Sequence, residues 1–218
     1  MDCFWLSHPI GKTTPLYGGA KNIELKDVRS IARGDTSNNT HLDFPNHSGS
    51  HVDAPYHFLA DGKTITDYAP TEWIYESPLY IDYEAEEGEL IEFEKLSQVL
   101  VDAPQEVDFI LIRTGFEAKR GEDTYWQSNP GMHPDSAQDL KSRFPGLRAI
   151  GFDFISLSSY QHREIGRTAH KEYLGRDILI YEDLSLENLD KPLTKVIALP
   201  LRIHKGDGAP CTMIGWTA

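Results

Sequence analysis

The chain has 218 residues, of which 39% are hydrophobic and 25% charged, a composition typical of a globular protein with a well-buried core. Its 21 lysines and arginines against 34 aspartates and glutamates give a formal net charge of −13 at pH 7. Because nucleic acids and anionic membranes attract clustered positive charge, this balance argues against both as partners.

The start of the chain and its two cysteines favour a cytoplasmic location. The first residues contain an early acid and no basic segment before an apolar run, so we expect no secretory signal peptide. Cys3 and Cys211 lie near opposite ends, which predicts two reduced thiols rather than a disulfide framework. No apolar run approaches the roughly 18 residues that a membrane-spanning helix needs.

No internal repeat, linker or low-complexity tract interrupts the sequence, which predicts one domain over residues 1–218. The first 70 residues are rich in glycine and proline and predict loops and short, antiparallel strands.

The segment 47–58 holds three histidines and one aspartate within eleven residues: His47, His51, Asp53 and His57. Gly49 and Pro55 argue against a helix. In an extended chain the side chains of His51 and Asp53 point to the same face. A bend at Gly49 allows the first histidine to join them, and Pro55 ends the strand so that the last histidine can turn back.

Imidazoles beside a carboxylate form a ligand set suited to Zn²⁺, Mn²⁺ or Fe²⁺. An aspartate among imidazoles, in a segment with little other polarity, is costly to bury unless a cation neutralises it. The alternative is a cluster of surface histidines near a turn. The spacing between two prolines favours the metal site.

Beyond this segment, short apolar runs predict strands and amphipathic runs predict helices. The strands are expected at 79–83, 109–114, 149–154, 177–181, 196–203 and 211–216, and the helices at 93–100, 134–144 and 168–174. Thr168 is a suitable N-cap for the last helix, and Gly175 a suitable end. The mixture predicts an α/β fold, with α+β as the alternative. Continuous apolar runs predict a sheet covered on both faces.

Two later residues extend the candidate site. His170 is expected near the start of the short last helix, and Glu182 directly follows a predicted strand, where α/β sheets build their sites. On local sequence alone, Glu182 is equally a loop-capping acid or a ligand. His162 is an alternative to His170, but its polar neighbours indicate an exposed loop and favour His170.

The segment 47–58 resembles the signature H-x-G-T-H-x-D-x-P-x-H of the metal-dependent hydrolases of the cyclase family, which include kynurenine formamidases and isatin hydrolases. Ser50 stands where that signature has threonine and keeps the hydroxyl. His170 and Glu182 match the family's later His and Glu, with the same separation. Further matches are Arg33-Gly34-Asp35, Ile112-Arg113-Thr114-Gly115, Gly151-Phe152-Asp153-Phe154-Ile155-Ser156 and Asp207-Gly208-Ala209-Pro210.

This resemblance implies a single domain of the swivelling β/β/α cyclase-like type, with a mixed sheet and flanking helices. It implies one or two divalent metal ions per chain, Zn²⁺ or Mn²⁺. The first would be bound by His47, His51 and Asp53. The second would be bound by Asp53, His170 and Glu182, with Asp53 bridging. It also implies a homodimer or homotetramer.

The implied activity is hydrolysis of a small or cyclic amide, such as N-formylkynurenine or a related aryl formamide or lactam. Metal-activated hydroxide would attack the carbonyl, and His57 would act as the general acid/base. Tyr17, in a segment that departs from the family's aromatic-Pro-Gly-Asp, is the candidate substrate contact. The alternatives are a metal-dependent cyclase or dehydratase, and a non-catalytic metal- or small-molecule-binding protein. His57 argues against the non-catalytic alternative.

Overall fold

A nine-stranded mixed β-sheet organises the fold in a computed structural model that describes residues 2–217. The strands are β1 (Cys3–Trp5), β2 (Glu24–Arg29), β3 (Asn39–Asp43), β4 (His51–Asp53), β5 (Ile74–Tyr75), β6 (Pro78–Asp82), β7 (Leu90–Ile91), β8 (Phe109–Arg113), β9 (Gly131–Met132), β10 (Ala149–Phe152), β11 (Leu179–Glu182), β12 (Leu193–Pro200) and β13 (Gly208–Thr217). The helices are α1 (Phe93–Val99), α2 (Thr124–Gln127), α3 (Asp135–Arg143) and α4 (Arg163–Leu174), and short 3-10 turns join several elements.

The sheet runs in the order β5-β12-β13-β4-β11-β10-β8-β6, and β1 also pairs with β13. The neighbours β6, β8, β10 and β11 are parallel to one another. The short strand β4 lies between β11 and β13 and is antiparallel to both. A segment from the first quarter of the chain is therefore held in the middle of the sheet by strands from its last quarter.

Alternating side chains divide the interior into two hydrophobic cores, one on each face of the sheet. On β8, Ile110 and Ile112 face the core that also contains buried residues of α1, α3 and α4. Phe109 and Leu111 face the other core, which is closed by residues of β12 and β13. Because β12 contacts β6 across this second core, the sheet curls toward a barrel. The continuous apolar runs of the central strands thus correspond to a sheet covered on both faces.

The expected α/β fold with a mixed sheet and flanking helices is confirmed, and each predicted strand overlaps an observed one. The predicted start of the last helix, at Thr168, is wrong. It begins at Arg163, and Thr168, the predicted N-cap, lies inside it and donates its hydroxyl to the carbonyl of Glu164. His170 therefore lies in the C-terminal half of α4. Gly175 does end the helix, but with right-handed backbone angles.

The hairpin formed by β2 and β3 is a two-stranded arm outside the main sheet. Nearly all of its residues are exposed, including the apolar side chains of Val28 and Leu42 and that of Ile31 in the connecting segment. Among residues 2–217, no helix is both long and apolar enough to cross a membrane.

Candidate metal centre

Strand β4 presents two of the predicted ligands on the face of the sheet that the helices cover. His51 and Asp53 alternate with Val52, which packs into the opposite core. The pairing of β4 with β11 places Glu182 directly opposite His51. Gly49, just before the strand, has a φ of 63°, a left-handed conformation that glycine adopts without strain.

Four of the predicted ligands form a buried inner cluster. The Nε2 atom of His51 lies 3.3 Å from Oε2 of Glu182 and 3.5 Å from Oδ1 of Asp53. On α4, the Nε2 atom of His170 lies 3.5 Å from Oδ2 of Asp53 and 3.5 Å from Oε1 of Glu182. All four residues are at most 5% exposed. Two imidazoles and two carboxylates thus converge on one point from three elements.

Backbone carbonyls fix the orientation of both imidazoles. Nδ1 of His51 donates to the carbonyl of Gly49 over 2.7 Å, and Nδ1 of His170 donates to that of Gly166 over 2.8 Å. With Nδ1 held by a carbonyl, Nε2 of each ring faces the carboxylates, where it donates a hydrogen bond while it is protonated and offers a lone pair to a metal ion once it is not. Metal-ligating histidines in proteins are typically held in this way.

The two inner carboxylates stay ionised although both are buried. Burial alone would raise the pKa of Asp53, but His47 and His170 lower it well below its usual range. Burial and Asp53 would raise the pKa of Glu182, but hydrogen bonds from His170 and His51 lower it to about 2. Two adjacent buried carboxylates are costly unless positive charge compensates them. The site therefore favours a cation.

A second group of side chains extends the inner cluster toward the surface. Nδ1 of His47 lies 2.8 Å from Oδ1 of Asp53, and the His47 ring stacks on that of His57 at 4.0 Å. Burial disfavours the charge on His47, but Asp53 and Asp207 outweigh burial and raise the pKa of His47 to about 9. This histidine thus connects the inner cluster to His57.

Asp207, in the loop before β13, joins the two outer histidines. Its Oδ2 atom lies 2.9 Å from Nε2 of His47 and 2.9 Å from Nδ1 of His57, while Asn46 donates to its Oδ1. Gly208 makes room for this arrangement, because a Cβ atom there would lie 2.4 Å from Cε1 of His47. The Asp-Gly pair thus positions one predicted ligand and the predicted acid/base.

Further buried contacts hold Glu182 in place. Its Oε1 accepts hydrogen bonds from the amide of Leu157 and the hydroxyl of Ser156. The next residue, Asp183, has a φ of 54° and is fixed by a two-pronged ion pair with Arg120 and by the hydroxyl of Tyr125. The left-handed backbone at Asp183 turns the chain immediately after the carboxylate that enters the site.

A cavity of about 260 Å³ opens onto both groups of side chains. Phe58 stacks on His170 at 4.4 Å and forms part of its wall. Tyr17 lines the same cavity and packs edge-on against Tyr160, and burial is the main reason that its pKa is raised to about 12. The cavity suits a small molecule with an aromatic or apolar part.

The structure brings together all the residues selected from the sequence as ligands or acid/base, and it places Tyr17 beside them. His162, the alternative to His170, is exposed and does not line the cavity. Asp207 belongs to the Asp207-Gly208-Ala209-Pro210 match, but its contacts have no signal in the sequence, because its partners lie 150 and 160 residues away.

The donor set fits a divalent metal ion. Two groups have ligand atoms within 4.8 Å of one another: His47, Asp53 and His57, and His51, Asp53 and Glu182. Asp53 belongs to both groups, and the imidazole of His170 lies beside the carboxylates of the second group. Nitrogen and carboxylate oxygen donors of this kind suit Zn²⁺ and Mn²⁺. The donors form one connected cluster, with Asp53 at its centre.

Comparisons with known proteins agree with this architecture. The model of the family described as "Putative cyclase" matches residues 4–159. The kynurenine formamidase of Sphingopyxis alaskensis is 30% identical over 217 residues, which cover 98% of this chain and 98% of that protein. The kynurenine formamidase of Bacillus anthracis is 27% identical over 205 residues, covering 94% and 92% respectively.

Among solved structures, isatin hydrolase A from Labrenzia aggregata, bound to benzyl benzoate, is similar with a TM-score of 0.85. The two share 20% sequence identity over 100% of this chain and 94% of that chain. This likeness confirms the cyclase-like fold.

Proposed function

The chain belongs to the cyclase family, and on that basis we propose that it is a metal-dependent hydrolase of a small or cyclic amide, acting on a C–N bond outside peptides. The observation that carries the proposal is the position of Asp53. It is shared by two groups of candidate ligands, one of which includes His57 at the cavity. Relatives along the full length of the chain are kynurenine formamidases, which supports an aryl formamide as the substrate.

Five residues would hold the metal: His47, His51, Asp53, His170 and Glu182. We propose one or two ions per chain, Zn²⁺ or Mn²⁺. When bound, such an ion polarises a carbonyl oxygen and lowers the pKa of water toward neutrality.

The protein's own groups prepare the proton transfer. His57 lines the cavity, and its Nδ1 faces Asp207, so Nε2 is the nitrogen left to exchange a proton with substrate. Departure of an amide nitrogen requires a proton, and a positioned imidazole delivers it effectively near neutral pH. Phe58 and Tyr17 on the cavity wall restrict water and orient an aromatic substrate.

The test is hydrolysis of N-formylkynurenine, isatin and simple lactams by protein loaded with Zn²⁺ or Mn²⁺. We expect turnover of at least one of these amides, and its loss on removal of the metal with a chelator. His57→Gln should retain the metal and lose about 10²- to 10⁴-fold in kcat, the usual contribution of a general acid or base. A metal-loaded, folded protein that turns over none of these amides, or a His57→Gln variant with unchanged kcat, would count against the proposal.

We also propose that the chain forms a homodimer or homotetramer through the β2–β3 arm. A two-stranded hairpin is only marginally stable alone, and this one exposes Val28, Ile31 and Leu42 by 55–59%. A groove elsewhere on the chain exposes Trp5, Leu199 and Leu201 and offers a matching apolar surface on a second copy.

Light scattering after gel filtration tests this assembly. Wild-type protein should be oligomeric, and the double substitution of Val28→Ser and Leu42→Ser should yield monomers. Lys26→Ser, on the same arm, removes no apolar side chain and is the control. A monomeric wild-type protein would rule out the arm as an assembly element.

A further inference from the structure

Helix α4 presents one stripe of side chains to the cavity. Arg163, Arg167 and His170 are spaced as i, i+4 and i+7, which places them on the same face of a helix. All three line the cavity that opens onto the candidate metal centre. His170 reaches the buried end, and the arginines lie toward the surface, where both are exposed. The helix that supplies a candidate ligand thus also supplies two guanidinium groups.

These guanidinium groups are poorly compensated by the protein. Within residues 2–217, the guanidinium group of Arg163 forms no ion pair or hydrogen bond and only stacks over the ring of Tyr160, at 5.4 Å. Arg167 pairs with Glu164, whose side chain is 84% exposed, and such surface pairs contribute little. On a chain with a net charge of −13, Arg163 without an ion-pair partner in the described part of the chain and Arg167 in an exposed pair leave two guanidinium groups at the cavity that can bind an anion.

We propose that Arg163 and Arg167 recognise a carboxylate on the substrate, remote from the amide that is cleaved. The inference rests on the proposed amide hydrolysis and adds the substrate class: an aromatic amide that carries a carboxylate. Guanidinium groups bind carboxylates through paired, charge-assisted hydrogen bonds. The aromatic part of such a substrate would lie along Tyr17 and Phe58, which line the cavity beside the arginines.

The same geometry would set the orientation of such a substrate. The candidate metal ligands Asp53 and Glu182 lie at the inner end of the site, whereas the two arginines of α4 lie at its outer end. A substrate with a neutral amide and a distant carboxylate is therefore oriented with the amide inward. Two anchor points on one helix give orientation as well as affinity.

The test compares two probes that differ in charge at the end of the ring remote from the formamide, 4-formamidobenzoate and 4-formamidobenzamide. In Arg163→Gln and in Arg167→Gln, the ratio of kcat/KM for the anionic probe to that for the neutral probe should fall about tenfold, because a charge-assisted hydrogen bond contributes at least that factor. Lys171→Gln removes the same charge one turn further along α4, outside the cavity, and should leave the ratio within about twofold of wild type. An unchanged ratio in both arginine variants, or an equal fall in the lysine variant, would overturn the proposal.

The experiment also distinguishes failure of the proposed hydrolysis from failure of the proposed anion site. If the metal-loaded wild-type protein cleaves neither probe and none of the amides named under the proposed function, amide hydrolysis is contradicted, and binding of the two probes by calorimetry still tests the arginines. The anion site is supported if the wild-type protein binds the anionic probe more tightly than the neutral one, and if the affinity for the anionic probe falls about tenfold in the two arginine variants but not in Lys171→Gln. Equal affinity for both probes in all variants rejects it.

Discussion

The Oδ2 atom of Asp207 lies 2.9 Å from Nδ1 of His57, and the same oxygen lies 2.9 Å from Nε2 of His47. One carboxylate therefore orients both a candidate metal ligand and the candidate proton donor. Hydrogen bonds from the two histidines outweigh the effect of burial and lower the pKa of Asp207 to about 2. It is ionised throughout the pH range in which histidine titrates, so it can hold both rings in the working tautomer.

Replacing this carboxylate should slow the reaction without unfolding the protein. Asp207→Asn keeps the size of the side chain but loses the charge, and partners of metal-bound histidines typically contribute a factor of about 10–100 to affinity or activity. We expect kcat to fall by that factor, measured at saturating metal. Asp61→Asn makes the same charge change at an exposed site and should have no effect. A fully active Asp207→Asn would show that the two hydrogen bonds do not serve catalysis.

Close packing between α4 and Ser158 should be as important for metal binding as the ligands themselves. A Cβ atom at Gly166 would lie 2.2 Å from Oγ of Ser158, so Gly166→Ala must displace the helix that carries His170. Alanine favours helices over glycine by about 1 kcal/mol, yet overpacking costs about 1–3 kcal/mol, and we expect net destabilisation and weaker metal binding.

The control for this packing is Gly121→Ala, where nothing lies within 4 Å of the added Cβ. Urea denaturation and metal titration of the two variants provide the comparison. If Gly166→Ala bound metal as tightly as wild type and were more stable, helix position would not limit the site.

The ion pair between Arg120 and Asp183 should contribute strongly to stability. Asp183 is 1% exposed, and removal of one partner of a buried pair costs about 3–5 kcal/mol because a charge is left uncompensated. Arg120→Met should lower the free energy of unfolding by about that amount, as measured by urea denaturation. Lys195→Met breaks the exposed pair with Glu76 and should cost at most about 1 kcal/mol. Equal costs in the two variants would contradict the structural role assigned to Asp183.

The local pattern of polar and apolar residues is enough to predict much of the site and of the sheet. Strand alternation predicts that His51 and Asp53 share a face, and the structure groups both with Glu182, with ligand atoms within 4.8 Å of one another. The apolar runs predict the central strands because burial on both faces leaves continuous hydrophobic sequence. These features depend on neighbours within a few residues.

The features of the fold and the site that the sequence alone does not predict depend on long-range contacts. The position of β4 between β11 and β13 and the contacts of Asp207 join residues more than 120 positions apart. Gly166 lowers local helix propensity, so the start of α4 at Arg163 has no clear local signal, while the close approach of Gly166 to Ser158 is visible only in the fold. Thr168 resembles an N-cap, but its hydroxyl bonds within the helix instead.

Metal content is the most direct measure of whether Asp53 is the shared centre of the site, since its two oxygens face His47 and His51 on one side and His170 on the other. Protein purified without chelator should be analysed by mass spectrometry for bound metals, with circular dichroism to verify folding. We predict at least one divalent ion per wild-type chain and a loss of bound metal in Asp53→Asn. A folded wild-type protein that contains no divalent ion and takes up none from excess Zn²⁺ or Mn²⁺ would contradict the account.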